Sequence, residues 1–255
     1  GVGLPPGHGR EVCEIFLAPV LLPFGAKRDG MIVGSGAACF VLERDSMVAE
    51  RGMEPLVDVL ATLITNTAFH ATRLESGFIR DSFETFVAEV AAKREVSVEE
   101  LGRDAFFMSH ETYTPARGGS SAAEVNALRH AFQGSAADVL IANTKGFTGH
   151  PMGASLEDAV AIKGLQRQEL PPVANLSEVD PDFADLNFSR GGGMERSVAI
   201  RFAAGFGSQV AMVAYGRRAT QEARLVDPAA FQAWIAREAG VDGASYEVTH
   251  RTFRV

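Results

Sequence analysis

Three short stretches hold most of the side chains able to do chemistry: His110-Glu111-Thr112-Tyr113-Thr114-Pro115, Asn143-Thr144-Lys145-Gly146-Phe147-Thr148-Gly149-His150, and Gly205-Phe206-Gly207. Histidine changes charge near neutral pH, and its uncharged imidazole offers a ring proton to a developing oxyanion without leaving a permanent buried charge. His110 and His150 are therefore candidate donors, and Lys145 is a candidate source of positive potential beside them. Each also has a plain reading. An isolated histidine more often packs or faces solvent, and an isolated lysine is usually solvated. Gly205 and Gly207 suit a tight turn between paired strands. His70 reads as structural, His8, His130 and His250 as surface or packing residues, and Cys39 as a small buried hydrophobe.

The elements that must position these loops alternate. Met31 to Leu42, apolar and interrupted by glycine, reads as a buried strand approached closely by another backbone. Leu56 to Ile64 reads as the next strand. Asp81 with Glu84, and Ser97 with Glu100, have the spacing of capping boxes, and Phe83, Phe86, Val87 and Val90 recur at helical spacing, which predicts two consecutive helices. Ala105 to Met108 and Val139 to Ala142 read as buried strands, with helices at Ala122 to Phe132 and Ala154 to Leu165. Pro171-Pro172 breaks the pattern, and a polar loop runs from Asp180 to Gly193. Ser197 to Phe202 and Gln209 to Tyr215 read as two further strands. Asp227 as cap and Pro228 at the first helical position start a last helix, before a β-leaning tail from Tyr246 to Val255. The alternation predicts an α/β fold with a mostly parallel sheet. In such sheets ligands collect beyond the carboxyl ends of the strands, where His110 and Lys145 both fall.

Composition narrows the function classes. The 255 residues are 46% hydrophobic and 22% charged, ordinary usage for a folded globular chain. A net charge of −8 repels phosphate backbones and anionic lipid, which argues against nucleic acid or a membrane surface as partner. Cys13 and Cys39, the two cysteines, form no C-x-x-C pair and no Cys/His cluster, so neither a metal site nor a disulfide is signalled. No apolar run has the length of a membrane helix and no secretory signal is evident, so the expected location is cytoplasmic.

In order and spacing the three stretches resemble the C-terminal half of a β-ketoacyl synthase, the condensing domain of fatty-acid and polyketide synthesis. The family's H-G-T-x-T-P loop is similar to His110 to Pro115, and its K-x-x-x-G-H segment to Lys145 to His150. Arg28-Asp29-Gly30, Gly34-Ser35-Gly36 and Leu42-Glu43 resemble its D-G-x-x-x-G-E-G strand. Asn175-Leu176 after Pro171-Pro172 and the closing Gly205-Phe206-Gly207 match downstream. The likeness spans about Lys27 to Arg217.

It implies a thiolase-like half with a mixed five-stranded sheet covered by helices. Residues 1–26 would be a lead-in, 27–218 the ketosynthase C-terminal domain and 219–255 an extension. The implied reaction is decarboxylative Claisen condensation of acyl and malonyl thioesters on carrier protein, with His110 and His150 as donors to the enolate and oxyanion. Lys145 would support them, paired with Glu124 on the following helix. Thr112 and Thr114 would meet the phosphopantetheine arm of the carrier protein, and Phe206 would gate the acyl pocket. No bound cofactor and no metal are implied. The implied partners are acyl carrier protein, a cysteine-bearing N-terminal half and a second copy of the completed domain.

Three loop positions depart from the family. Glu111 stands where a glycine is usual, Gly119-Ser120-Ser121 replaces G-D-P, and Gly207-Ser208-Gln209-Val210 replaces G-G-T-N. The catalytic cysteine has no counterpart, because Cys13 lies too close to Arg28-Asp29-Gly30 and Cys39 lies within an expected strand. Two alternatives stay open. One is a non-catalytic partner resembling a chain-length factor. The other is a thiolase-type coenzyme A enzyme, whose G-H-P-x-G-x-S loop Gly149 to Ser155 resembles.

Overall fold

The computed structural model describes residues 24–25, 33–70, 73–112, 120–150, 155–205, 207–218, 227–243, 247–249 and 252–254. They divide into two compact units, the first drawn from Gly1–Phe40 and Leu56–Arg218, the second from Val41–Pro55 and Ala219–Val255.

The first unit is built on a mixed six-stranded sheet. Its strands are β1 (Val57–Asn66), β2 (Ala105–Met108), β3 (Leu140–Ala142), β5 (Asn187–Phe188), β7 (Val198–Gly205) and β8 (Gln209–Arg217), in the order β1-β8-β7-β2-β3-β5. β7, β2, β3 and β5 run parallel, while β8 lies antiparallel to both β7 and β1. A separate antiparallel pair joins β4 (Glu169–Pro172) to β6 (Arg190–Gly193). The α/β class and the mixed sheet are as the sequence implies, but the sheet has six strands where five were expected. The extra one, β5, lies within the stretch read as polar loop, because an edge strand of two residues carries too little periodicity to be seen.

Helices cover both faces. α1 (Ser76–Arg94) buries Ile79, Phe83, Phe86, Val87, Val90 and Ala91, a stripe at helical spacing. It packs with α2 (Val98–Asp104) and α3 (Ser120–Phe132) over one face of the sheet, meeting Phe107, Ile141, Ile200, Phe202, Val210 and Met212. α5 (Ser155–Arg167) covers the other face through Ala161, Ile162 and Leu165, which meet Phe106, Met108, Ala142, Ala199 and Tyr215. The short helix α4 (Lys145–Thr148) follows β3 in the chain and precedes α5. All four residues of β2 are buried because alternate side chains enter opposite cores, Phe107 toward α1 and Phe106 toward α5. Such a strand reads as a continuous apolar run.

The Ser97/Glu100 capping box is present, Glu100 N–H donating to Ser97 Oγ at 3.1 Å and Ser97 N–H to Glu100 Oε2 at 2.8 Å. Asp81 caps nothing: α1 begins at Ser76, so Asp81 is helix interior and pairs with Arg80 at 2.7 Å. The Met31 to Leu42 expectation is corrected over its described part. Val33 makes an isolated bridge to His150, and residues 34–44 form neither helix nor strand. Gly34 and Gly36 explain this. A Cβ on Gly34 would lie 1.9 Å from the Thr148 carbonyl oxygen, and one on Gly36 2.7 Å from Leu156 Cδ1, so the segment crosses another loop and pairs with no strand. Cys39 is exposed, contrary to the buried reading. Pro171-Pro172 ends β4, a position open to proline because β4 belongs to a two-stranded sheet.

The second unit contains a helix over Asp45–Glu50, a helix over Pro228–Ala239 and a hairpin of Glu247–Thr249 with Thr252–Arg254. Asp227 accepts the Ala230 N–H at 2.9 Å and Pro228 holds the first turn, as the sequence predicts. Among the described residues no helix is long and apolar enough to cross a membrane.

Candidate active site

β2 and β3 are parallel neighbours in register, Met108 opposite Ala142, so their carboxyl ends open at the same edge of the sheet. Ser109 N–H extends the pairing by one bond to the Ala142 carbonyl, 2.9 Å. The chain leaves β2 through His110 and leaves β3 through Asn143 into α4, whose first residue is Lys145. Gly149 closes that turn with φ +67°, its N–H reaching the Lys145 carbonyl at 2.9 Å, and delivers His150. The His150 carbonyl accepts the Gly34 N–H at 3.0 Å, which fixes the backbone carrying the ring. Two histidines forty residues apart thereby meet edge to face, with ring centroids 5.4 Å apart and planes at 83°.

A buried network holds the His110 loop. Glu124 on α3 accepts the Ser109 hydroxyl at 2.5 Å and the His110 N–H at 3.0 Å. Ser109 Oγ accepts the Glu111 N–H at 2.9 Å, and Ser120 donates to Glu111 Oε2 at 2.9 Å. Asn143 joins the two loops, its Nδ2 donating to the Glu111 carbonyl at 3.0 Å and its Oδ1 accepting the Lys145 N–H at 2.9 Å. Thr112 is buried, with its N–H and hydroxyl each 3.4 Å from Ser120 Oγ.

Lys145 Nζ donates to the His110 carbonyl at 2.6 Å and lies 3.2 Å from His110 Nδ1. Its ion partner is Glu157 on α5, Oε1 at 3.5 Å, and not Glu124 as the resemblance implied. Glu124 is committed to Ser109 and His110, and the first turn of α5 is the element that faces the Lys145 ammonium. Beyond Glu157 stands Arg201 of β7, NH2 3.6 Å from Glu157 Oε2 and Nε 3.9 Å from Asp158 Oδ1. Tyr215 of β8 donates to Asp158 at 3.1 Å.

These surroundings set the protonation states. Burial, then the positive charges of Lys145 and Arg201, hold His110 well below the usual imidazole range. Burial and Lys145 lower His150 in the same way, so both rings are uncharged at neutral pH. Burial lowers Lys145 to about 8, with Arg201 adding to the effect and Glu157 opposing it. Burial raises Glu124 to about 8, the Ser109 hydrogen bond opposing. The folded chain thus retains a proton on Glu124 that the unfolded chain releases above 4.5, so this residue's contribution to stability falls as pH rises from 4.5 toward 8. Glu124→Gln is expected to abolish that slope. Relative to wild type, the variant gains about 1.4 kcal/mol per pH unit inside the window, measured by urea unfolding at several pH values.

His110, Lys145, His150, Thr112 and Glu124 are thus brought together at one edge of the sheet. Gly205 ends β7 and Gly207 follows with φ +78°, in the turn to β8. That conformation favours glycine. Thr114 and Phe206 lie outside the described residues, as do Cys13, His8 and His250. His70 accepts the Arg73 N–H at 3.2 Å, a local structural contact. Sequence reasoning missed Glu157 and Arg201. Their signals were an acidic pair in the first turn of a predicted helix, and one arginine inside an apolar strand, Ser197 to Phe202. Among the described residues no group of three or more His, Cys, Asp or Glu could hold a metal ion.

The fold is the thiolase-like architecture of solved ketosynthases. Solved structures that share it include a type II polyketide synthase acyl-carrier protein in complex with its ketosynthase, at TM-score 0.68 and 19% identity over 83% of this chain and 53% of that one. A beta-ketoacyl synthase from Burkholderia phymatum matches at TM-score 0.66 and 22% identity, over 85% of this chain and 53% of that one.

In sequence the chain is similar to ketosynthases. It is 30% identical over 190 residues to the tetracenomycin polyketide synthase ketoacyl synthase alpha subunit of Streptomyces glaucescens, covering 72% of this chain and 42% of that protein. It is 31% identical over 159 residues to 3-oxoacyl-[acyl-carrier-protein] synthase 2 of Vibrio cholerae, covering 60% and 36%. The chain spans less than half the length of the curated relatives it matches. No family model matches it.

Proposed function

We propose that the chain supplies the two histidine donors of a β-ketoacyl-[acyl carrier protein] synthase, with the cysteine nucleophile provided by another segment or chain. The observation that carries this reading is the pair of uncharged imidazoles meeting at 5.4 Å beside a buried lysine. Lys145 points an N–H at His110 Nδ1, which must then be the acceptor nitrogen, so the ring proton sits on Nε2. The neutral ring therefore presents a donor on the side away from Lys145.

In the proposed reaction an acyl group waits as a thioester on the cysteine. Loss of carbon dioxide from a malonyl thioester leaves an enolate, whose oxygen takes the hydrogen bonds of His110 and His150. The enolate carbon attacks the acyl carbonyl, the new carbon–carbon bond forms, and the cysteine thiolate departs. Both thioester oxygens gain negative charge during this sequence. Neutral donors held in place by burial serve that charge without reorganising.

The malonyl and product groups would ride on acyl carrier protein through its phosphopantetheine arm, with Thr112 and Thr114 near the arm and Phe206 at the acyl pocket. A solved structural neighbour is a ketosynthase in complex with an acyl-carrier protein, which supports that partner. A second copy of the completed domain is the further partner proposed.

The chain is to be combined with a cysteine-bearing N-terminal half and decarboxylation of malonyl carrier protein followed. His150→Ala is expected to slow it about a hundredfold. Undiminished decarboxylation removes the donor role and leaves the non-catalytic, chain-length-factor-like reading standing.

A further inference from the structure

Arg201 occupies the middle of β7, where strand alternation puts it on the α5 face with Ala199. It is 2% exposed. A guanidinium is expensive to bury, and an aliphatic side chain would fill the same position without that cost. Its contacts suggest a use. One carboxylate, Glu157, stands between two cations, with Oε2 3.6 Å from Arg201 NH2 and Oε1 3.5 Å from Lys145 Nζ. Among the described residues no neutral group donates to either Glu157 oxygen, and the two cations are the charges that face this carboxylate. Asp158, tied to Tyr215, adds a second negative charge on the Nε side of Arg201, at 3.9 Å.

We propose that Arg201 is a positioning residue for the imidazole pair: by sharing the charge of Glu157 it leaves Lys145 Nζ on His110, and so fixes His110 as the Nε2–H tautomer. The proposal rests on the reading of the histidines as enolate donors and deepens it. Lys145 has two competing partners, the His110 carbonyl and Nδ1 on one side and Glu157 on the other. With Arg201 present the carboxylate is half-neutralised, and the ammonium stays at 2.6 Å from the carbonyl. Without Arg201 the whole negative charge of Glu157 draws the ammonium away from the ring. His110 Nδ1 then loses its donor, and the tautomer is no longer imposed.

The groups facing His110 set the sign of the pH effect. Lys145, Arg201 and His150 oppose protonation of the ring. The carboxyl groups nearest it are Glu111 in the same loop network, Glu157 on α5, and Glu124, which keeps its proton up to about 8 and so adds no negative charge below that. Removing the Arg201 charge shifts that balance toward protonation at both histidines.

The test is imidazole ¹⁵N NMR of the chain across pH, on wild type, Arg201→Gln and Arg201→Lys. Wild type is expected to show His110 with Nε2 protonated and a titration midpoint below 6.5. Arg201→Gln is expected to mix the tautomers and raise both midpoints by about one pH unit. Arg201→Lys, which keeps the charge, is expected to hold both midpoints within about half a unit of wild type. Wild-type protonation at His110 Nδ1, or Arg201→Gln spectra identical to wild type, overturns the proposal. A full-unit shift in Arg201→Lys overturns it too, so the question is decided even where Arg201→Gln fails to fold. Shifted imidazoles with unchanged decarboxylation in the reconstituted enzyme uphold the place of Arg201 and count against the donor reading.

Discussion

Glu157→Gln is expected to cost the chain about 3–5 kcal/mol of stability at pH 6, the range for breaking a buried ion pair from one side. The substitution keeps volume and shape but leaves two fully buried cations, Lys145 and Arg201, facing a neutral amide. Their mutual repulsion and the lost attraction add in the same direction, and burial weakens solvent screening of both. The penalty has a pH signature. In wild type Lys145 keeps its proton up to about 8, and in the variant it releases that proton earlier. Between those two points the wild-type fold holds a proton that the variant fold has lost, so the gap between them narrows as pH rises toward 8. Urea unfolding at pH 6 and pH 8.5 checks both parts. An equal loss at the two pH values would show that Lys145 does not carry the effect.

Phe83→Ala is expected to cost about as much, 3–5 kcal/mol, for an unrelated reason. Phe83 on α1 is 1% exposed, and its ring meets those of Phe107, Phe132 and Phe202 at 5.7, 6.2 and 6.4 Å. Truncation opens a cavity under two strands, β2 and β7, and removes three edge-type aromatic contacts worth about 0.5–1.5 kcal/mol each. Its neighbours are anchored in helix and sheet and are poorly placed to collapse into the space. The check is a lower urea midpoint at unchanged slope, alongside Ile64→Ala, whose side chain is 86% exposed and should change stability by less than about 0.5 kcal/mol. Because β2 leads through Ser109 into His110 and β7 carries Arg201, loosening this core reaches the site through its foundations.

How much of this was legible in the sequence depends on how each feature is encoded. β2, β3, β7 and β8 announced themselves as apolar runs bounded by polar residues, and the histidine loops could be placed at strand ends without coordinates. The capping box at Ser97 and the cap at Asp227 were readable because a local hydrogen bond needs only local sequence. The D-x-x-E at Asp81 has the same letters, yet α1 starts five residues earlier, since the burial of Ile79 extends the helix past the apparent signal.

Met31 to Leu42 has the composition of a strand, but pairing requires a neighbour and the described part has only the Val33 bridge. The partner of Lys145 was misread for a different reason. Ion pairs depend on which elements face one another, and Glu124 and Glu157 both stood on helices that followed a histidine loop. Arg201 was visible as a lone charge in an apolar strand, and only the placement of α5 over that face gave it a meaning.

The Gly34 amide, fastened to the carbonyl of His150, ties a stretch remote in sequence to the pitch of a ring proposed to do the chemistry. With Thr148 pressed against the same glycine, there is no slack between them. A substitution at Gly34 is therefore transmitted to the angle at which that imidazole would greet its substrate, a dial on reactivity that leaves every polar side chain of the site untouched.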